Sequence, residues 1–374
     1  MSALHESALE RPLGTKHRFI PSLESLRGLA ALTVCLTHAS GIKINGVPLL
    51  PRSSWWVFLL NGHGPVVVFF VLSGFVLRLS LSNKWKQPLP NVAAGFAVAR
   101  LFRIYPVVIA TVLLFASARW FYYGQSIPIA GLLRNASLLD VSINGAFWTV
   151  QVEIFGSVLV LIAFTLERLT NTAALIGLAV GLIPFSFLGH SSVLGRPVFA
   201  LLYPFLFGYL VAAQPQISRS LASRGNMLLL LAVALFYFVG TVGFVLKQYW
   251  LLLTTVSATL MIAVLAAERY RGALRSLPMR FLGTVSYSFY ALHPFGLGAA
   301  AFLARALASH NVPHPVIVVA SFVICISVAL LLGACLHYAI ERPAMKVGNA
   351  FGRLLIYRRQ TATALPLLCE SPSR

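Results

Sequence analysis

The stretch from Phe19 to Ser40, FIPSLESLRGLAALTVCLTHAS, is apolar enough to enter a lipid bilayer, yet it carries Glu24, Arg27 and His38. At about 100° per residue, the interval from Arg27 to His38 is about three turns plus 20°, so both side chains share one helix face, about 16 Å apart along the axis. Glu24 precedes Arg27 by about one turn, within reach of an ion pair. A charged side chain near the bilayer centre costs roughly 3 kcal/mol on insertion scales, so it normally faces a bundle interior and marks a functional site. Glu24 and Arg27 also fit interfacial anchors at the helix start, whereas His38 lies too deep for that role.

The composition is that of a polytopic membrane protein. The chain has 374 residues, of which 58% are hydrophobic and 10% charged, whereas soluble domains carry about 25% charged residues. Lys and Arg outnumber Asp and Glu by 29 to 9. These basic residues are scattered through short loops between apolar runs, so we interpret them as topology determinants and expect no nucleic-acid partner. The cysteines and histidines show no metal-ligand spacing, and we expect no metal.

Apolar runs of spanning length recur along the chain and predict an all-α, polytopic transmembrane helical bundle of about ten spans. The loops are short, so we expect one membrane domain at 23–342, with a cytoplasmic N-terminal segment at 1–22 and a cytoplasmic C-terminal tail at 343–374. Most Lys and Arg residues fall on the side of the N-terminus, and with an even number of spans this bias places both termini in the cytoplasm. The predicted spans are 23–42, 56–77, 104–123, 146–166, 172–189, 197–213, 227–246, 249–267, 281–304 and 315–338.

The residues Glu24, Leu26, Arg27 and His38 resemble the opening helix of the acyltransferase-3 family. In that helix an acidic residue precedes a Leu-Arg pair, and a His follows the Arg after ten intervening residues. Members of the family are integral-membrane enzymes that move acyl groups from acyl-coenzyme A onto sugars and other acceptors. The family more often has Asp-Gly before Leu-Arg, and this chain has Glu-Ser, which keeps the charge.

A pair of arginines, Arg100 and Arg103, precedes Ile104-Tyr105-Pro106 at the start of a predicted span. On a helix the two guanidinium groups are neighbours, and guanidinium suits bidentate phosphate recognition. Coenzyme A carries a 3′-phosphate and a pyrophosphate, so the pair is a candidate site for the donor. The same two residues also satisfy the positive-inside bias. An Arg-x-x-Arg followed by an aromatic residue and Pro recurs in the acyltransferase-3 family, and this resemblance favours phosphate binding.

Glu153 lies about one turn inside an apolar run and has no basic neighbour in its own helix. Such a carboxylate needs a partner from another helix or a proton. An interhelical ion pair with Arg27 is one interpretation and a role in the site is another, and the two are compatible. The acyltransferase-3 family carries a similar Trp-x-x-x-x-Glu, which here begins at Trp148. The resemblance makes Trp148 a candidate substrate- or donor-binding residue, and it also fits an interfacial belt.

The predicted ninth span has polar residues in a helical pattern, because Ser286, Tyr290 and His293 lie on one face. The family shows a similar Tyr-Ser-x-Tyr-x-x-His, so the resemblance implies that these residues bind substrate or donor. Hydrogen bonds to neighbouring helices are the structural alternative. The chain's final predicted helix ends in Glu341-Arg342-Pro343, which matches the family's terminal Glu-basic-Pro and which we interpret as a helix stop and cytoplasmic anchor.

Transfer of an acyl group from a thioester to a hydroxyl needs a base, a stabiliser for the oxyanion and a grip on the donor. A neutral imidazole suits the first role, and His38, which we expect half-way across the membrane, is the candidate. Glu24 or Glu153 would orient it, and Arg27 would hold the donor or stabilise developing charge. Acylation of His38 itself, or of Cys35 one turn before it, is an alternative.

The expected function is therefore an acyl-CoA-dependent O-acyltransferase, most simply with acetyl-CoA as donor and a cell-surface or exported carbohydrate as acceptor. The resemblance places such an enzyme in a bacterial inner membrane, and a small acceptor such as a macrolide is the alternative within the same family. A different class, a proton-coupled transporter, would use Glu24, Arg27, His38 and Glu153 as a proton or substrate path. That class predicts internal repeats or paired broken helices, which the sequence does not display.

Overall fold

The structure is a computed structural model that describes residues 20–51, 60, 62–188, 193–195, 197–223, 225–246, 249–267 and 272–364. Most of the predicted N-terminal segment 1–22, the beginning of the predicted span 56–77 and the end of the predicted C-terminal tail therefore lie outside the described residues.

Nearly all of the described chain is helical, which confirms the all-α prediction. A π-helical turn, His337–Glu341, joins the last two helices. A short antiparallel hairpin of β1 (Lys43–Ile44) and β2 (Val47–Pro48) follows the first helix. The helices are α1 (Pro21–Ser40), α2 (His63–Ser82), α3 (Leu89–Tyr123), α4 (Ile129–Ala136), α5 (Trp148–Leu169), α6 (Thr172–Leu182), α7 (Phe185–Leu188), α8 (Tyr203–Ala213), α9 (Pro215–Ala222), α10 (Gly225–Leu246), α11 (Trp250–Ala266), α12 (Leu277–Ser309), α13 (His314–Leu336) and α14 (Arg342–Ala364), with 3₁₀ turns at Gly145–Phe147, Phe199–Leu201 and Ala273–Arg275.

Six helices of the described chain are long and apolar enough to cross a membrane. A seventh is added if Phe199–Ala213 and Pro215–Leu221, bent by 84°, form one span. The ten predicted runs are largely helical where the structure describes them, but α1 is too polar, and α6 and α11 are too short, to meet the same standard. The protein is thus a multi-pass membrane protein, the number of ten spans is not confirmed, and the cytoplasmic location of the termini stays a prediction.

The packing of the bundle is organised around α12, whose most extensive partners are α13 and α1. A short turn at the end of α12 folds α13 back against it. On the other side of the bundle, α2 packs against α8 and α5 around a core of aromatic and aliphatic side chains that includes Phe70 and Phe205. The α2–α8 contact is close because Gly74 faces α8: a Cβ at this position would lie 1.9 Å from the carbonyl oxygen of Phe205.

Two helices are longer than a bilayer span requires. From His314 to Ile356, α13, the π-helical turn and the first part of α14 form one continuous helical run of 43 residues, about twice the length of about 20 residues that crosses the hydrocarbon core. α3 begins at Leu89, well before the predicted start near 104, and α14 packs along it. The predicted C-terminal tail from 343 is therefore helical through Ala364, and its contact with α3 brings the first half of α3 close to the π-helical turn.

Candidate active site

The contact between α1 and α12 positions the first group of predicted site residues. The two backbones touch, since a Cβ on Gly28 would lie 2.6 Å from the amide nitrogen of Gly283, and a Cβ on Gly283 would lie 2.3 Å from the carbonyl oxygen of Glu24. Small residues permit such close approach of membrane helices. At this level Arg27 donates from Nε to the Ser286 hydroxyl over 2.9 Å and from Nη2 to the Gly283 carbonyl over 3.0 Å.

Arg27 therefore bonds to α12 instead of forming the ion pair with Glu24 that their spacing allows. The Ser286 hydroxyl, which is almost completely buried, in turn donates to the Gly283 carbonyl over 2.7 Å. Glu24 accepts a hydrogen bond from Thr284, at 3.1 Å, through one carboxylate oxygen. Its other oxygen, Oε2, is buried and has no hydrogen-bond partner among the described residues.

His38 and His293 form a pair of imidazoles between α1 and α12. His38 Nδ1 lies 2.9 Å from His293 Nε2, and the two rings are nearly parallel, with an angle of 11° and centroids 5.1 Å apart. His293 is 1% exposed, whereas His38 is exposed. His38 lies in the last turn of α1, and its expected position half-way across the membrane stays a prediction.

Tyr290 joins α12 to the start of α5. Its hydroxyl donates to the carbonyl oxygen of Ala146 and accepts from Thr149 Oγ1, both over 3.2 Å. Trp148, the first residue of α5, is half-buried and packs against the apolar core that includes α2 and α8. Tyr290 thus makes the interhelical hydrogen bonds of the structural alternative, beside the paired imidazoles: its ring centroid lies 5.5 Å from that of His293.

The two arginines of α3 are each paired with a glutamate from another helix. Arg100 forms a short ion pair with Glu153 of α5 and donates from Nε to Ser157 over 3.1 Å. Glu153 therefore has Arg100 as its ion-pair partner, and the alternative partner, Arg27, bonds to α12. Arg103 forms a short ion pair with Glu341. Phosphate binding by Arg100 and Arg103 remains a prediction, with the added condition that both already hold carboxylates.

Glu341 is the member of this group that the sequence analysis interpreted only as part of a helix stop, whereas the helix continues beyond it into α14. It is completely buried, and besides Arg103 it accepts hydrogen bonds from Ser288 over 2.5 Å and from His337 Nδ1 over 2.9 Å. It ends the π-helical turn, a geometry that frequently occurs at functional sites. The signal was present in the sequence: Glu341 is one of only nine acidic residues, it borders an apolar run, and a carboxylate there needs a partner.

The charged groups of these pairs surround one tyrosine, Tyr287. Arg103 lies over its ring, with Cζ 5.1 Å from the centroid, and Arg100, Glu153 and Glu341 are within electrostatic range of its hydroxyl. Arg27 is likewise within electrostatic range of Arg103, Glu153 and Glu341. One segment of α12, from Gly283 to His293, thus contacts Arg27 and His38 of α1 on one side. On another side it faces the two Arg–Glu pairs.

The site thus combines the accessible imidazole of His38 with the guanidinium groups of Arg27, Arg100 and Arg103, all of which lie near α12. The family model described as an acyltransferase domain, Acyl_transf_3, matches residues 20–334, which include every member of this site except Glu341 and His337. The chain belongs to the acyltransferase-3 family. This membership confirms the resemblance found in the opening helix and makes the protein a membrane acyltransferase. Searches of curated proteins and of solved structures found no match.

Proposed function

We propose that this acyltransferase transfers an acyl group, acetyl in the simplest case, from acyl-CoA to a hydroxyl group of a cell-surface or exported carbohydrate, with His38 as the general base. The observation that carries the proposal is the pairing of His38 with buried His293 on the same α12 segment that binds Arg27. Family membership supplies the acyl-transfer chemistry. The donor and the carbohydrate acceptor come from the family resemblance.

The proposed reaction uses His38 twice. Its free ring nitrogen takes the proton from the acceptor hydroxyl while the hydroxyl oxygen forms a bond to the thioester carbonyl carbon. When the carbon–sulfur bond breaks, the coenzyme A thiolate leaves and recovers the proton from the His38 imidazolium. The acyl group ends on the acceptor oxygen, and the enzyme returns to its starting protonation state.

Arg27 is the candidate for holding the donor, because it lies about 16 Å along α1 from His38 and the oxyanion would form beside His38. Nε and Nη2 are used on α12, and Nη1 makes no hydrogen bond to a described residue. The guanidinium is therefore fixed in direction and still has donors to offer to an anionic part of the donor.

The arginine-rich end of the site is the candidate for the phosphates of the donor. Arg27, Arg100 and Arg103 face three carboxylates, Glu24, Glu153 and Glu341, so an anionic ligand would have to compete with these carboxylates for the guanidinium groups. The guanidinium N–H groups that are not bonded to carboxylates would bind the phosphates. On α1, Arg27 lies near the beginning of the helix and His38 lies in its last turn. This separation supports entry of donor and acceptor from opposite faces of the membrane.

The direct test is a donor assay on the full chain in lipid nanodiscs. With radiolabelled acetyl-CoA and a thiol reagent, one measures coenzyme A release and label transfer for the wild type, His38→Ala and the control variant His310→Ala, an exposed histidine after α12. We expect His38→Ala to lose about 100- to 10 000-fold of the rate, the contribution of a general base, while His310→Ala keeps it. Full activity in a folded His38→Ala protein would refute the role of His38.

The acceptor class requires a second measurement. Mass spectrometry of surface glycans from a deletion strain, its parent and a strain complemented with His38→Ala should show acetyl groups only in the parent. Identical acetylation in all three strains would refute the carbohydrate acceptor and leave a small-molecule acceptor to be sought.

A further inference from the structure

A proline inside α12 leaves one backbone carbonyl without its helical donor. In an α-helix the carbonyl oxygen of residue i accepts from the amide of residue i+4. Pro294 has no amide hydrogen, so it cannot donate to the carbonyl of Tyr290, four residues earlier. That carbonyl oxygen lies 2.6 Å from Nδ1 of His293. The segment Tyr290-x-x-His293-Pro294 thus provides both an acceptor that the helix does not use and the imidazole that occupies it.

This contact determines which nitrogen of His293 carries the proton. A carbonyl oxygen can only accept, so Nδ1 of His293 must be the donor. The ring is almost completely buried, and burial favours the neutral imidazole, in which the other nitrogen is unprotonated. Nε2 of His293 is therefore an acceptor. It faces Nδ1 of His38 over 2.9 Å, so Nδ1 of His38 must be a donor.

We propose that the Tyr290 carbonyl, His293 and Pro294 together hold His38 in the tautomer protonated at Nδ1, with Nε2 free to accept the proton of the acceptor hydroxyl. His293 is then a positioning residue that acts through His38, and not the substrate-binding residue that the sequence predicted. The inference rests on the proposed function, since it assigns the atom of His38 that works as the base.

The same contact serves a second stage of the reaction. When His38 Nε2 takes a proton, the imidazolium keeps Nδ1–H directed at the lone pair of His293 Nε2, so the charged ring remains hydrogen-bonded and fixed in orientation. An orienting partner of this kind has a large effect on rate, because a base in the wrong tautomer presents a hydrogen in place of a lone pair.

Three variants separate this role from a packing role. His293→Leu removes the acceptor, His293→Gln keeps an amide oxygen at about the place of Nε2, and Pro294→Ala restores an amide that competes with His293 for the Tyr290 carbonyl. We expect kcat for coenzyme A release to fall about 100-fold in His293→Leu, within the range of general-base contributions. His293→Gln should recover most of this loss, and Pro294→Ala should fall between wild type and His293→Leu.

A double-variant comparison and a spectroscopic measurement complete the test. In a His38→Ala background, His293→Leu should cause no further loss, because His293 acts only through His38. In ¹⁵N-histidine-labelled protein, the difference spectrum between wild type and His38→Ala should show a protonated Nδ1 and an unprotonated Nε2 for His38. That spectrum needs no His293 variant, so it decides the question even if His293→Leu fails to fold.

The outcomes distinguish this inference from the proposed function. If His38→Ala abolishes activity but the spectrum shows His38 protonated at Nε2, the tautomer assignment is overturned and the function stands. The same conclusion follows if His293→Leu, folded, retains the wild-type kcat. If His38→Ala retains activity, the proposed function itself fails.

Discussion

Glu341→Gln should destabilise the protein through the loss of one buried charge. The substitution keeps the size of the side chain but replaces one acceptor oxygen with an NH₂ group, which cannot accept, so the remaining oxygen cannot serve Arg103, Ser288 and His337 as two carboxylate oxygens do. Arg103, whose side chain is 19% exposed, is left without its carboxylate. Breaking a buried ion pair by removal of one partner costs about 3–5 kcal/mol. The remaining exposure of Arg103 and its contact with Tyr287 place the expected loss near the lower end, about 3 kcal/mol.

Glu153→Gln is the matched comparison, because its carboxylate also pairs with an arginine of α3. Its side chain is 23% exposed, and Arg100 keeps the hydroxyl of Ser157 as a partner. We expect a loss of about 1 kcal/mol, typical of a more solvated pair. With an unfolding entropy of about 2.1 cal/mol/K per residue, 3 kcal/mol corresponds to a decrease in Tm of about 4 °C for this chain, and 1 kcal/mol to about 1 °C.

The assay is thermal unfolding of the purified variants in one detergent, followed by intrinsic tryptophan fluorescence. A double variant, Arg103→Met with Glu341→Leu, removes both charges, and we expect it to recover most of the lost stability because no unpaired charge remains. The reasoning is refuted if Glu341→Gln unfolds at the wild-type temperature. It is also refuted if Glu153→Gln is the more damaging change, or if the double variant is no more stable than Glu341→Gln.

Three further variants test the geometry around α1. Gly283→Leu places a side chain against the carbonyl of Glu24, so it should separate α1 from α12 and abolish coenzyme A release, whereas Gly298→Leu, where a Cβ meets nothing within 4 Å, should not; similar activity of the two would contradict the close contact. Arg27→Lys keeps the charge but loses the forked contacts, and we expect kcat to fall at least 10-fold with little change in Tm; an unchanged kcat would count against the fixed direction of the guanidinium. Cys35→Ser should keep its activity in the same assay, and complete loss in a folded protein would favour an acyl-cysteine intermediate.

The sequence predicted which side chains of α1 share a helix face, but it did not predict which residues of other helices they contact. The 100° periodicity correctly places Arg27 and His38 on one helix face, because this relation depends only on the local geometry of a helix. The expectation that His38 lies half-way across the membrane stays a prediction. Periodicity gives the angle of a side chain around the helix axis, and it does not give the depth of that side chain in a membrane.

The ion pairs could not be predicted because they join residues that are far apart in the sequence. Arg103 and Glu341 meet only because α14 folds back along α3, and Arg100 meets Glu153 through the contact between α3 and α5. The sequence did require that Glu153 have a partner, and Arg27 was the candidate considered because it lies inside the predicted span 23–42. The early start of α3 changes this, since it makes Arg100 and Arg103 parts of the same helix as the span that follows.

The polar residues of α12 lie on several faces because the helix is central in the bundle. The sequence analysis predicted one polar face, formed by Ser286, Tyr290 and His293, as expected for a helix that meets polar partners on one side only. In the structure Tyr287 and Ser288, which lie on other faces, are also engaged, with Arg103 and Glu341. A helix that contacts α1, α3 and the π-helical turn must satisfy polar partners on several faces, because buried polar groups in a membrane have no water to bind. The density of Ser, Tyr and His between Gly283 and His293 is therefore what identifies α12 as the centre of the site.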